Sequence, residues 1–426
     1  MLEHNYFITV GSKDILSILE LISKFIRFTS GEGNIEKKVM DLSLSDGVLW
    51  SVYSSITSNY LVPLTIFILG SKDPAGLIVG IPLFIVPVAQ YFAYHKSRVT
   101  SDLRRITLFI TFLDRVLWLP LVLLLFLNIQ FIYEVIFIIA LLSLRTFFAS
   151  FSGTTWTLWV PFLITESKRN GYFSKRNFYM KIFSLVGFLI GIGIFSLNIL
   201  ERIQYTILIV ISLIFSTASL LIMRNIPSSN LINESYSQKR SWNRSFLLFL
   251  AGMGLFGLIY SGMITYFQYY LIGKNYLGMP VSYYSSLMIL VSLSFILSQI
   301  FWGKLANIIG NSKSLIIAGL LLFFIPILLI IDHSFISALA SSILFGLVLS
   351  NSSLNIFNEM LRKASNEKVR SVTSYNTIQS LSQGIGPIIG NAILLTSHYD
   401  IFTVFTWFLF LSLLSIILFI IYTLRY

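Results

Sequence analysis

The sequence predicts an all-α membrane protein: twelve transmembrane helices in two pseudo-symmetric six-helix bundles. Three observations carry that prediction. The 426 residues are 56% hydrophobic, 15% aromatic and only 11% charged, with a mean hydropathy of +0.82. That is more apolar surface than a soluble core absorbs. Continuous apolar runs recur along the chain at about 20 residues, the length that crosses ~30 Å of hydrocarbon as a helix. Short motifs of the first half also return in the second. The runs do not alternate with period two, which excludes a membrane β-barrel.

The spans read 44–70, 75–95, 105–127, 130–161, 178–199, 204–223, 245–272, 281–303, 313–331, 334–361, 371–396 and 400–423. Turn residues separate several of them: GSKDPAG before the second, NSK before the ninth, DHS before the tenth. The polar stretch 224–244 reads as a cytoplasmic linker between bundles at 44–223 and 245–426. Residues 1–43 form an N-terminal cytoplasmic segment. Within it, Ser12 to Phe28 carries apolar residues at 15, 18, 19, 22, 25 and 26, with Lys13, Asp14, Glu20, Lys24 and Arg27 between them. This is an amphipathic helix, lying on the inner leaflet or docked on the protein. Its charges interrupt any apolar core, so it is no signal peptide.

The net charge of +12 is distributed by side. With the N-terminus in the cytoplasm, 25 Lys and Arg fall on the cytoplasmic side and three (Lys72, Arg202, Lys274) opposite, with Arg115 and Arg145 inside spans. Such asymmetry orients a plasma-membrane protein with both termini cytoplasmic, and it assigns the basic charge to the membrane face, not to nucleic acid. The charged stretches GYFSKRN (171–177) and RSVTSYN (370–376) then lie in cytoplasmic loops, before spans five and eleven. Cysteine is absent, which removes disulfides, thiolate metal sites and thiol nucleophiles. Four dispersed histidines make no haem or metal cluster, and no cofactor is expected.

At an offset of 199, Asn177 pairs with Asn376, Gly187 with Gly386 and Gly191 with Gly390. YSSITS (53–58) is similar to YSGMIT (260–265) at offset 207, and Gln90-Tyr-Phe to Gln299-Ile-Phe at offset 209. Both halves start from the same side, so the repeat is parallel, about an axis along the membrane normal. Two such bundles leave a central seam suited to alternating access.

GKLANIIGNSK (303–313) resembles the signature loop of the major facilitator superfamily. Gly303, Leu305, Ala306, Gly310 and Lys313 match it, while Asn307 stands where an acid is usual. LLSLRTFFASFSG (141–153) is similar to the superfamily's span-four pattern, with Arg145 at the embedded arginine and Ala149 at the usual glycine. Residues 156–177 look like the loop after span four in prokaryotic members. The resemblance covers about residues 44–424. It implies a secondary transporter with a central cavity lined by spans 1, 4, 7 and 10, with 2, 5, 8 and 11 alongside.

An ionised side chain in mid-membrane costs about 2.5–3.5 kcal/mol, so each needs a reason. Asp114 and Arg145, on spans three and four, lie about 20 Å from their outer ends and can meet. Two readings stand open for them: a gate or proton relay, or a static pair gluing two helices. Arg115, about 100° around the helix from Asp114, reads as structural. Glu359 and Arg362, three apart, read as a latch at the inner end of span ten. Candidate substrate-lining residues are Tyr53, Ser54, Ser58 and Asn59 on span one, Tyr260, Ser261, Thr265, Tyr266 and Gln268 on span seven, Asn351 and Asn355 on span ten, and Gln379 and Gln383 on span eleven. Amides and hydroxyls in hydrocarbon face the bundle or water, and interhelical hydrogen bonding is the alternative use. This lining leans towards efflux of amphipathic, drug-like compounds with protons as coupling ion; uptake of a sugar-like solute is the alternative. GMGLFG (252–257) has no strand before it, so a nucleotide site is excluded. The chain is expected to be a monomer in the bilayer that meets a small-molecule substrate and is not an enzyme. A membrane receptor, scaffold or enzyme is the rival class; an enzyme would need a histidine–acid set or paired carboxylates that the chain does not present.

Overall fold

The computed structural model describes residues 35–70, 74–100, 102–127, 130–228, 244–363, 368–398 and 400–425. The expected amphipathic helix at 12–28 and residues 229–243 of the linker lie outside them. The described residues form α1 (Ile35–Asn59), α2 (Leu61–Leu69), α3 (Ala75–Gly80), a 3-10 turn (Ile81–Ile85), α4 (Val86–Val99), α5 (Leu103–Val116), α6 (Trp118–Leu124) and α7 (Phe131–Thr157). A second 3-10 turn (Val160–Leu163) leads to α8 (Glu166–Phe195) and α9 (Glu201–Met223). The second half holds α10 (Arg244–Ile272), α11 (Val281–Ile309), α12 (Asn311–Ile331), α13 (Phe335–Lys363), α14 (Lys368–Thr396) and α15 (Ile401–Arg425). Successive described spans alternate in direction. The face where α1 begins is here the proximal face, and the opposite one the distal face.

Eleven described segments are long and apolar enough to cross a membrane. The twelfth expected span, α14, is a 29-residue helix whose Gln379, Gln383 and Asn391 keep it more polar than the others. The first helix starts at Ile35, ahead of the expected 44. Its Glu36 accepts the backbone N–H of Thr165 at 2.7 Å and the Lys168 ammonium at 2.8 Å. A carboxylate from one helix thus caps the positive N-terminus of α8.

The charged stretches expected as loops are helical. GYFSKRN lies inside α8 and RSVTSYN inside α14. In α8 the reason is visible: Arg176, three turns in, is buried and bound to α1, so the helix continues to present it.

The two halves repeat in their packing. α1 packs on α8 and α9 as α10 packs on α14 and α15, and α5 on α7 as α12 on α13. Single contacts repeat too. Ser55 Oγ donates to the Ser184 carbonyl at 2.6 Å, and Ser261 Oγ donates to the Gln383 carbonyl at 2.6 Å. Ser184 and Gln383 are 199 apart, as expected; Ser55 and Ser261 are 206 apart. A Cβ on Gly187 would meet the Val52 carbonyl at 3.1 Å, and one on Gly386 the Leu258 carbonyl at 2.0 Å, again 199 and 206 apart. The offset of 207 read from YSSITS and YSGMIT is therefore corrected to 206. Letter similarity matched Tyr53 to Tyr260, whereas the packing superposes Ser54 on Tyr260.

Prolines shape the seam. Pro63 has no N–H for the Asn59 carbonyl, and Pro387 has none for the Gln383 carbonyl. The first span breaks at Tyr60, between α1 and α2. Both freed carbonyls take hydroxyl donors, from Tyr284 at 2.5 Å and from Ser261. The largest apolar cluster crosses between the halves, joining Val52, Ile56, Tyr60 and Phe188 to Tyr266, Tyr284 and Met288.

Gly386→Val is expected to destabilise the protein by about 1–3 kcal/mol, the range for overpacking, because its side chain would strike the α10 backbone. Gly193→Val, whose Cβ meets nothing within 4 Å, serves as the control. Thermal unfolding of both purified variants checks the contrast.

Candidate substrate passage and buried charge sites

The candidate passage is drawn along the residues of the central helices that stay accessible. On α1, Trp50 is 40% exposed, Ser54 half-buried and Ser58 exposed. These lie one helical turn apart and form one stripe. Ser58 donates to its own helix at Ser54 O, 2.6 Å away. Asn59 is half-buried and donates to Ser55 O at 2.7 Å. Tyr260, Gln379 and Gln383 are also half-buried, and the Tyr260 ring stands edge-on to Phe345 at 5.9 Å.

Most of the other expected lining residues bond to neighbouring helices in this conformation. Asn351 and Asn355, both fully buried, donate to Ser314 Oγ of α12 at 3.1 and 3.0 Å. Thr265 donates to Ser261 O at 2.8 Å, and Tyr266 Oη to the Pro387 carbonyl at 3.2 Å. Ser261 is spent on Gln383 O, and Gln268 and Tyr53 are buried. Interhelical bonding engages Asn351, Asn355, Tyr266, Ser261 and Tyr53 where lining was expected, while Thr265 bonds within α10.

Three buried charged sites sit among the helices of the described residues. The first is at mid-depth between α1, α5, α6 and α7. Asp114, with 2% of its side chain exposed, meets Arg145 Nε at 3.2 Å and Arg115 Nη1 on its other oxygen. The Arg145 contact is an ion pair whose angle falls short of a hydrogen bond. The Arg115 guanidinium lies 3.9 Å from the Tyr53 ring centroid and that of Arg145 4.5 Å from Trp118. Tyr53 Oη accepts from Trp118 Nε1 at 2.8 Å and from Arg145 Nη2 at 3.3 Å. Arg115 was expected to point away from Asp114. Its long side chain folds back to the carboxylate, so helix angle alone misplaced it.

The second site escaped sequence reasoning. Asp46 on α1 is buried, accepts from Ser219 Oγ of α9 at 2.6 Å, and faces Arg176 of α8 at 3.9 Å. Arg176 Nε donates to the Ser43 carbonyl at 3.0 Å, and its guanidinium covers Trp156 at 4.6 Å. A Cβ on Gly47 would sit 2.7 Å from that guanidinium. The triplet Ser45-Asp46-Gly47 was the available signal: an acid beside a glycine within an apolar span. The third site is Glu359, fully buried, which binds Arg362, accepts from Ser312 Oγ at 3.1 Å and accepts from Tyr422 Oη. It ties α13 to α12 and α15 within one half.

The signature-loop residues form the turn from α11 to α12. Ala306 is buried and Asn307 exposed. Gly303 faces Leu354 at 3.8 Å from its would-be Cβ, while Leu305 is half-buried and Lys313 exposed. Gly310 has φ +90, the left-handed region that favours glycine, and its N–H donates to Ala306 O at 2.9 Å.

The halves meet chiefly towards the distal face. α2, α3 and the 3-10 turn pack on α10 and α14, and α8 packs on α11. Tyr60 Oη and Ser285 Oγ are 2.5 Å apart. A Cβ on Gly76 would lie 2.4 Å from Tyr266 Oη, and one on Gly80 2.4 Å from the Gly384 carbonyl. Tyr60 and Tyr266 are 206 apart, and Gly76 and Ser285 are 209 apart. The two tyrosine contacts are therefore copies of one another across the pseudo-twofold axis.

Two helical bundles of one repeat, joined at a seam of small residues, define a polytopic α-helical membrane fold. The sequence model of the Major Facilitator Superfamily matches residues 245–426. The whole chain is similar in fold to a bacterial homologue of the iron transporter ferroportin, with TM-score 0.70 and 13% identity over 91% of this chain and 99% of that one. It is similar to the nucleoside transporter NupG, with TM-score 0.65 and 13% identity over 92% and 100%. A bacterial homolog of the human lysosomal transporter Spinster gives TM-score 0.67 and 12% identity over 93% and 98%. No curated protein sequence matches the chain. The family match covers the second half of the chain, and the likeness of the chain to these solved transporters is one of fold.

Arg176→Gln is expected to cost about 3 kcal/mol or more, the loss for orphaning a buried charge. Arg176→Gln combined with Asp46→Asn is expected to cost less than the sum of the single changes. A double-mutant cycle on thermal unfolding measures that coupling.

Proposed function

We propose that this protein is a secondary active transporter that moves a small organic solute across the cytoplasmic membrane by alternating access. The observation that carries the reading is the duplicated tyrosine contact at the distal seam. Tyr60 to Ser285 and Tyr266 to Gly76 cross between the halves near the distal face. The stripe Trp50, Ser54 and Ser58 lies on the proximal side of them, on α1. Separating the two contacts together would open the distal face, so one rocking motion serves both. The ferroportin and Spinster homologues of similar fold are described in inward-facing conformations. The basic residues at the proximal helix ends support a cytoplasmic proximal face.

Protons are the proposed coupling ion and outward movement the proposed direction. Support comes from the buried Asp114 carboxylate beside the passage and from an aromatic, amide-bearing lining that suits amphipathic compounds. Uptake into proteoliposomes with and without a proton gradient tests both; gradient-independent equilibration would overturn the coupling.

Alternating access has a test that needs no substrate, since the chain contains no cysteine. Ser58→Cys is expected to react with a membrane-impermeant thiol reagent from the cytoplasmic side. From the outer side it reacts roughly ten- to a thousandfold more slowly, as for a minor state populated at about 0.1–10%. Labelling confined to one side at every exposure time would contradict the reading.

A further inference from the structure

The mid-depth charge site does not balance. Two guanidiniums, Arg115 and Arg145, share one carboxylate, Asp114. The other groups packed on the site, Tyr53 and Trp118, carry no charge to offset the second guanidinium. Asp46 lies within electrostatic reach of Arg115, but Arg176 matches it. Glu134, on the same helix as Arg145, stands eleven residues towards the distal end, about 16 Å away. One full positive charge is therefore left over in the membrane interior, where isolated charges are costly.

The surplus is also the accessible member. Asp114 and Arg115 show 2% and 9% of their side chains, whereas Arg145 shows 19%. Its Nε faces Asp114 and its Nη2 donates to Tyr53. Nη1 has no partner among the described residues. The residue after Tyr53 is Ser54, on the accessible stripe of α1. The guanidinium carbon lies 4.5 Å from the Trp118 ring centroid, and Nη1 with the second N–H of Nη2 is left for an acceptor. A carboxylate fits two such donors by paired N–H···O bonds. A second cation points the same way: Lys181 on α8 is exposed, lies 4.4 Å from the Phe295 ring centroid across the seam, and has no ion-pair partner among the described residues.

We infer that the transported solute is an amphipathic organic anion whose acid group docks on Arg145, with its apolar part against the aromatic lining. The inference rests on the transporter reading and names its substrate class. In the empty protein the surplus charge is tolerated; with the anion bound, two guanidiniums face two acids.

Two measurements on the purified full chain test this. The first needs no ligand. Arg145→Gln leaves Asp114 and Arg115 as a balanced pair, so its melting temperature should equal or exceed that of the parent. Asp114→Asn leaves two unmatched guanidiniums and should melt well below it. If Arg145→Gln melts as low as Asp114→Asn, the surplus does not exist and the inference fails. The second reads binding by quenching of tryptophan fluorescence, using 2-naphthoate and octanoate against 2-naphthamide and octanamide as neutral counterparts. The carboxylates should bind about tenfold or more tightly than the amides, as for a charge-assisted pair. Arg145→Gln should erase that preference, and Arg145→Lys should keep part of it. Equal affinity for acids and amides, or a preference that survives Arg145→Gln, overturns the assignment whatever the melting order. Binding here requires no transport, and Ser58 accessibility requires no anion, so the two proposals can fail separately.

Discussion

A serine hydroxyl bound to a carbonyl on the neighbouring helix, once in each half, sets how closely the central helices approach. In lipid there is no hydrophobic force between helices, so contact depends on small side chains and on every backbone group having a partner. Ser55 on Ser184 O and Ser261 on Gln383 O meet both conditions. Around them Gly187 and Gly386 give the room. The prolines add acceptors, since Pro63 and Pro387 each withdraw one donor from a helix and leave a carbonyl for another helix to use. The distal seal follows, because the Asn59 carbonyl freed by Pro63 is the one that Tyr284 of the other half takes.

The halves share this scaffold and differ in charge. The first half places Asp46, Asp114, Arg115, Arg145 and Arg176 among its helices, while the corresponding helices of the second half are held by amides, hydroxyls and rings. Glu359 and Arg362 lie at the proximal end of α13 and bind within one half. The deeply placed charges thus lie in the first half, and both halves contribute to the seam. A symmetric scaffold with asymmetric fittings is what duplication followed by divergence of side chains would leave.

The fold class and eleven of the twelve expected spans were legible because hydrophobic length is a property of long segments, robust to single residues. The candidate site was legible only in part. Asp114 and Arg145 stood out because both lie deep in apolar runs. Asp46 and Arg176 did not, because each sits near a predicted span end, where charges are ordinary. Only the extension of α1 to Ile35 and α8 to Glu166 places them among packed helices. The polar residues of α10 and α13 looked like cavity lining, since composition cannot distinguish a hydroxyl facing water from one bound to the next helix. Tyr266 and Asn355 fell to the second use. The one-residue error in the repeat had a similar origin: YSSITS and YSGMIT match best by letters at 207, while contacts, which selection acts on, match at 206.

The central claim is that two rigid bundles rock about the seam, closing one face as the other opens. Paired distance measurement by electron spin resonance in lipid nanodiscs tests it most directly, with nitroxides at Leu197 and Asn275 on the distal face and at Lys96 and Asn307 on the proximal face. The account predicts two populations at each pair and opposite responses: conditions that lengthen the distal distance shorten the proximal one. Distances that stay fixed under every condition, or that lengthen together on both faces, would contradict it.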